Sequence, residues 1–400
     1  MSYAKPYAGV KVLDLSQGIA GPYASALLAQ QGANVIKVEP QRGDWMRPKG
    51  KDGPFGDMTP SFVIANLGKR SLVVDLKTTQ GVAVVRQLAA EADIFMEGFR
   101  PGVIERLGLG YKVVADLNPR VIYLSVSGFG QEGPLRERPA TDGVLQAFSG
   151  FMSVNRGPDN MPHRAGVPII DLATSLYNLQ AMQAALWARQ SAGEGCYIDN
   201  SLLRGAASFY NMSLASEHLL GPERPLGIYP SGIFATTDGF INVICLHDHN
   251  FPVLCDILGL AEFRDHPDYK TVVQREGRRG TLEPAIREAI ARQSSDVWCE
   301  RLTAAGLLHE RINTYADFMA HPHPADSGAL TWFDHPGVGT MPLANTAGVG
   351  RYDPDNPLHA PHLGEHTVAV LREHGYDAAQ IDDLIAQGTV GAPPGDAPAA

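Results

Sequence analysis

A chain of 400 residues exceeds one ordinary hydrophobic core and predicts two compact units. Hydrophobic residues at 44% and charged residues at 19% set a globular balance, and no run reaches the roughly 20 apolar residues that cross a bilayer, so no membrane partner is expected. A net charge of −10 argues against nucleic acid as a partner, because phosphate backbones need a basic face.

The opening MSYAKPYAGVKVLDL carries no long apolar leader and runs straight into a strand pattern, which predicts a cytoplasmic protein. GVKVLDLS reads as a strand, GPYASALLAQQG as a helix with Pro22 in its first turn, and NVIKVE as a second strand. RSLVVDL, DIFMEGF and VIYLSVSG follow as further strands, separated by the helical TTQGVAVVRQLAAEA and VIERLG. Apolar strands alternating with amphipathic helices predict a parallel sheet of the doubly wound kind.

Farther on, DLATSLYNLQAMQAALWARQSAG places Leu172, Leu176, Leu179, Met182 and Leu186 at helical spacing and stops at glycine. CYIDNSLLRGAASFYNMSL reads as a strand entering a helix. The Gly- and Pro-rich GPERPLGIYPSG (221–232) marks a boundary, and GIFATTDGFINVIC a hairpin. Gly, Pro and His dominate 326–364, an extended connector, before the helical HTVAVLREHG and AAQIDDLIAQG.

Several residues invite chemistry. Gly18 and Gly21 form a GxxGP turn after the first strand, with Glu39 ending the second strand as a ribose-binding acid would. A dinucleotide site needs GxGxxG for close pyrophosphate approach, so NAD is not expected. Cys196, Cys245, Cys255 and Cys299 contain no CxxC pair, which predicts neither zinc nor a disulfide framework. His321 and His323 in HPHPADSG lack flanking ligands at regular spacing, so no metal is expected there. Asp171, read alone, is a helix N-cap.

GIAGPYASALLAQQGANVIKVEP, NLGKRSLVVDLKTTQG, EGFRPGVIERLGLGY, NPRVIYLSVSGFGQEGP and GEGCYIDNSLL together resemble the family III CoA-transferases, a group that includes the related α-methylacyl-CoA racemases. The resemblance runs from about residue 8 to LGEHTVAVLREHGY. It implies an α/β fold: a Rossmann-like large unit with a smaller α+β unit, in an interlocked homodimer. The expected order is a large CoA-binding unit over 1–205, a linker 206–225, a small unit 226–325, a linker 326–350, a return to the large unit over 351–390, and a disordered tail 391–400.

By the same resemblance, Asp171 in GVPIIDLATSLY matches the family's catalytic aspartate. A carboxylate with a pKa of about 4 is ionised at neutral pH and can attack a thioester without a separate base. Backbone N–H groups at the helix start are expected to steady the oxyanions. Asp142 is expected to hydrogen-bond near the site. The racemases carry a His directly before that Asp; Thr141 stands here, and threonine is no general base near neutral pH, which favours transfer. Val74, Leu76 and Lys77, with Phe99, Arg106 and Leu107, are expected to border the nucleotide, Arg42 to meet phosphate and Ala20 to lie near the pantetheine arm. CoA enters as substrate, with no metal and no NAD.

Formyl-CoA transferases carry Gln where this chain has Ile19, and a glycine-rich loop where it has YPSGIF from Tyr229, which argues against formate- or oxalate-sized acids. GVPIIDLATSLY resembles members acting on C4–C6 dicarboxylates. His163, Arg164 and Tyr229 are the candidate substrate contacts, His163 and Arg164 for a second carboxylate or else on an exposed loop. A racemase and a non-catalytic acyl-CoA-binding protein are the alternatives.

Overall fold

Strands buried on both faces need apolar residues at every position, and their alternate side chains must face opposite layers. The inner strands here come close to that requirement, with charged residues such as Lys37 and Glu39 as exceptions, while β6 at the edge is only partly buried. In the large unit, residues 1–211 and 325–400, the chain runs β1 (Lys11–Asp14), α1 (Pro22–Gln30), β2 (Asn34–Glu39), α2 (Pro60–Asn66), β3 (Arg70–Val73), α3 (Thr79–Ala89), β4 (Ile94–Glu97), α4 (Val103–Arg106), α5 (Tyr111–Leu117), β5 (Ile122–Ser127), α6 (Asp142–Phe148), α7 (Phe151–Val154), α8 (Ile169–Ala192), β6 (Cys196–Ser201) and α9 (Leu202–Phe209). All six strands pair in parallel, in the order β3-β2-β1-β4-β5-β6. This computed structural model describes residues 5–48, 54–157, 159–221, 228–348, 352–353, 355 and 357–391.

The alternation is visible residue by residue. Leu13, Ile36, Phe95 and Tyr123 face one layer with Val85 and Leu88 of α3 and with Val370 and Leu371. Val12, Val35, Ile94, Met96, Ile122 and Leu124 face the other, with Leu28 of α1, Leu145 of α6 and Met182 of α8. Strand order reverses between β1 and β4, so a crevice opens at their carboxyl ends, the ordinary ligand position of a doubly wound sheet.

Helix α8 keeps part of its expected face, with Met182 buried and Leu179 and Leu186 packed on the same core, and departs from it at Leu176. Its buried residues are Ile170, Ala173, Thr174, Ser175, Asn178 and Met182, while Leu176 of the predicted stripe is 51% exposed. The buried face works through polar contacts: Ser175 Oγ donates to Ile19 O at 3.2 Å, and Asn178 Nδ2 to Ala20 O at 2.9 Å. Gly193, at φ +79°, ends the helix in the left-handed conformation that glycine adopts without strain.

The small unit, residues 212–324, has an antiparallel sheet of Ser231–Ala235, Phe240–Ile244 and Leu308–Arg311. Helices pack on it through Leu254, Ile286 and Trp298. Both expected linkers carry regular structure: a helix spans Asn211–Leu220, and Leu330–His335 pairs antiparallel with Gly339–Ala344. That hairpin packs Phe333, Met341 and Leu343 on Phe62 and Leu67, burial that a bare connector would lack. Of the predicted boundary, 222–227 lie outside the described residues, as do 349–350 of the second linker and 392–400 of the expected tail. Among the described residues no helix is long and apolar enough to cross a membrane.

Candidate active site

The crevice at the reversal of strand order is a cleft of about 450 Å³. Ser16, Gln17, Ile19 and Ala20 reach it after β1, Gly98, Phe99 and Arg100 after β4, Ser127 at the end of β5 with Gly128 beyond it, and Leu202 after β6. Arg136, Arg138 and Thr141 close it from the segment before α6, and Asp171 enters from the first turn of α8. Among the described residues, three arginines line the cleft and Asp171 is its one carboxylate.

Asp171 is held by its backbone rather than through its side chain. The Asp142 carboxylate, buried at 5% exposure, accepts from Ile170 N at 2.8 Å and Asp171 N at 3.2 Å. Gln146, also buried, donates to the other Asp142 oxygen and accepts from Ala165 N at 2.9 Å. Asp142 thus supplies the cap that α8 lacks from its own sequence, since Pro168 stands at the N-cap with no side-chain bond. Asp171 is not the cap. The Ile170 and Asp171 N–H groups, expected to face oxyanions, are already taken.

Burial and the nearby Asp142 charge push the Asp171 carboxyl up to about 7. This corrects the expectation of full ionisation at neutral pH. The same shift makes the ionised fraction more basic, and so a better nucleophile, than a solvated aspartate.

Beneath the cleft, the turn after β1 rests on buried charges. Lys37 Nζ donates to Ser16 O at 3.1 Å and pairs with Asp44 at 2.8 Å, and Asp44 accepts from Gly18 N at 3.2 Å from each oxygen. Lys69 pairs with Asp14 at 3.0 Å. Against burial, which would raise it, Lys69, Lys37, Ser16 and Ser25 hold Asp14 at about 2. Gly18 sits at φ +82°, and a Cβ there would lie 2.4 Å from the Trp45 ring; a Cβ on Gly21 would lie 2.2 Å from Ser16 Oγ. The GxxGP turn is thus built for close packing at this wall. Glu39 is no ribose ligand: Arg47 grips it twice at 2.8 Å, Ser71 Oγ donates at 2.7 Å and Asp44 N at 3.0 Å.

Of the expected contacts, Ala20, Phe99 and Asp171 line the cleft, and Asp142 stands behind it. Val74, Leu76, Phe99 and Leu107 do gather in one apolar cluster at the strand ends, although Val74 is buried and exposes no surface to a ligand. Arg42, Lys77 and Arg106 are exposed and do not line the cleft. His163 is exposed, 3.6 Å from Asp159, and lines no part of the cleft. Arg164 borders a groove adjoining the cleft. Tyr229, expected at the substrate, is 2% exposed within the small unit's core, where its carbonyl accepts from Arg275.

The reading missed Arg100, Arg136 and Arg138. The signal was present, because residues just past the carboxyl ends of parallel strands line such a crevice. Ile19 separates the Asp171 cleft from an apolar cavity of about 680 Å³ bordered by Tyr23, Ile64, Leu172 and Met341. Among the described residues no cluster of three or more His, Cys, Asp or Glu suits a metal ion.

A doubly wound sheet with a ligand crevice at its reversal point is the architecture of nucleotide-binding α/β proteins. Within that class the chain belongs to CoA-transferase family III, whose model matches residues 7–367. It is an enzyme that transfers CoA, with CoA thioesters as substrates. It is similar to the succinyl-CoA:glutarate CoA-transferase of Homo sapiens, 34% identical over 98% of this chain and 91% of that one. It is 32% identical to the acetyl-CoA:oxalate CoA-transferase of Acetobacter aceti, over 92% of this chain and 95% of that one. Among solved structures it resembles a CaiB/BaiF family protein from Brucella suis, at a TM-score of 0.80 and 32% identity, over 93% of this chain and 100% of that one.

Proposed function

We propose that the enzyme moves CoA from succinyl-CoA, or a similar thioester, to a C4–C6 dicarboxylic acid through covalent intermediates on Asp171. The observation that carries this reading is a carboxylate that accepts no hydrogen bond among the described residues, facing a cleft whose other charged side chains are arginines. The human relative's name, a succinyl-CoA:glutarate CoA-transferase, supports the substrate class.

The ionised Asp171 attacks the thioester carbonyl; the C–S bond breaks, CoA leaves as thiolate, and a mixed anhydride remains. The thiolate attacks the aspartyl carbonyl and expels the donor acid as carboxylate, leaving an aspartyl-CoA thioester. The acceptor carboxylate attacks that thioester, forming a new anhydride and freeing the thiolate. Attack of the thiolate on the acceptor's acyl carbonyl then yields the product thioester and restores Asp171. The CoA thiolate is retained and reused while the donor acid departs to make way for the acceptor, and the anhydride stages require water to be excluded. Asp142 and Gln146 act as positioning residues that hold the first turn of α8. Thr141 lines the cleft where a racemase would need a base, which supports transfer over racemization.

The enzyme works as an interlocked homodimer in the cytoplasm. Trp187 at 75% exposure and Met212 at 84% are apolar surfaces of the kind that an interface covers. A folded monomer in sedimentation at high dilution would refute the assembly.

The substrate claim is tested by a donor–acceptor matrix read by mass spectrometry of the CoA products, with acids from oxalate to adipate. Succinyl-CoA with C4–C6 diacids should give the highest kcat/KM. A preference for oxalate, or α-proton exchange with solvent deuterium in place of transfer, would overturn it.

A further inference from the structure

We propose that Arg138 and Arg164 form a subsite for the carboxylate at the far end of a dicarboxylic acyl group carried on Asp171. This inference rests on the aspartyl route above and adds the residues that would select the acid.

The groove that these two arginines share opens beside the catalytic cleft. Arg138, Thr141 and Val144 line both cavities, and Gly143 and Arg164 border the groove alone. Thr141 and Gly143 flank Asp142, whose carboxylate holds Asp171 N at 3.2 Å, so the groove begins within a few bonds of the nucleophile's own support. Thr141, which lines both cavities, is where an acyl chain carried on Asp171 would pass from cleft to groove.

Among the described residues, neither arginine pairs with a carboxylate. Arg138 lies 5.4 Å from the Phe129 ring centre and 5.8 Å from that of Phe148, held by cation–π contact with no side-chain hydrogen bond or ion pair among the described residues. Arg164 lies face-on against Gly143: a Cβ there would stand 3.5 Å from Nη1 and 3.6 Å from both Cζ and Nε. The next residue, Ala165, is fixed through its N–H to buried Gln146 at 2.9 Å. Both guanidinium groups are exposed at the groove, one beside two aromatic rings and the other against Gly143, with no side-chain hydrogen bond among the described residues.

The chemistry of a diacid requires such a site. Once one carboxyl is an anhydride or thioester, the other stays ionised and must be met by a cation or by water. Guanidinium binds carboxylate bidentately, with directional preference as well as charge. A monocarboxylic acyl group of equal length has nothing to place there, so the pair should select diacids.

The test uses the full chain with acetyl-CoA as donor, which carries no distal carboxylate, and glutarate or valerate as acceptor. In Arg164→Gln, at a residue that borders the groove and not the cleft, kcat/KM for glutarate should fall about ten- to a hundredfold, while that for valerate and the calorimetric affinity for free CoA stay as in the wild type; in Arg138→Gln the loss on glutarate should exceed that on valerate. Lysine at either position should recover part of the glutarate rate. An equal loss on both acids, an unchanged glutarate rate, or weakened CoA binding would overturn the subsite. Failure of the underlying route reads differently: the wild type would then yield no adduct on Asp171 with any donor.

Discussion

Replacing Asp171 by Asn should make the folded protein more stable while abolishing transfer. Burial and the Asp142 charge raise the Asp171 carboxyl from 3.8 to about 7. A group whose folded value lies above its unfolded one lends full stability below about pH 4 and loses it as pH rises toward 7. The displacement corresponds to a penalty of about 4 kcal/mol on the wild type above pH 8, reached progressively from pH 4 upward. An asparagine side chain at this position would be isosteric and uncharged, so the penalty vanishes. Differential scanning calorimetry of both proteins from pH 4 to 9 reads this as a Tm difference that widens with pH in favour of Asp171→Asn. A difference that stays flat, or favours the wild type at pH 8, would refute the account of the site's electrostatics.

Three other outcomes follow from named contacts. The wild type should show an ascending limb in kcat/KM near pH 7, because the carboxyl must ionise to attack; Asp142→Asn should move that limb to lower pH by removing the neighbouring charge, and an unmoved limb contradicts the coupling. Asn178→Ala leaves Ala20 O and Asn200 Nδ2 without their buried partner and should cost about 2 kcal/mol in urea denaturation, with a lower kcat. Arg275→Met strips donors from the carbonyls of Tyr229, Tyr269 and Lys270 in the small unit's core and should cost about 3 kcal/mol or more; a wild-type denaturation midpoint would refute that role.

The parallel sheet was legible because its strands are buried on both faces, and runs such as NVIKVE or VIYLSVSG show that directly. The charged residues within them were harder to read. Lys37 and Glu39 lie in a strand, yet their partners Asp44 and Arg47 come from the following loop, and only the folded chain shows a closed network. Helix α8 was legible as a helix and, through Leu179, Met182 and Leu186, in part of its facing. Its leucines suggested an apolar seat, whereas Ser175 and Asn178 make the buried contacts to the turn after β1. The Asp142 cap joins residues 29 apart along the chain, beyond the reach of any local capping pattern. Tyr229 failed as a substrate contact for a related reason: a Gly- and Pro-rich neighbourhood suggests a surface loop, but the ring is packed inside. The arginines of the cleft were missed because Arg136 and Arg138 sit in a charged stretch that reads equally well as solvated surface.

The most direct measurement is intact-protein and peptide mass analysis during turnover, with hydroxylamine or borohydride trapping. With succinyl-CoA present, the peptide containing Asp171 should carry the trapped mass of an activated aspartyl group, and the Asp171→Asn protein should not. Sustained transfer by the wild type with an unmodified Asp171 peptide at every time point would contradict the covalent route.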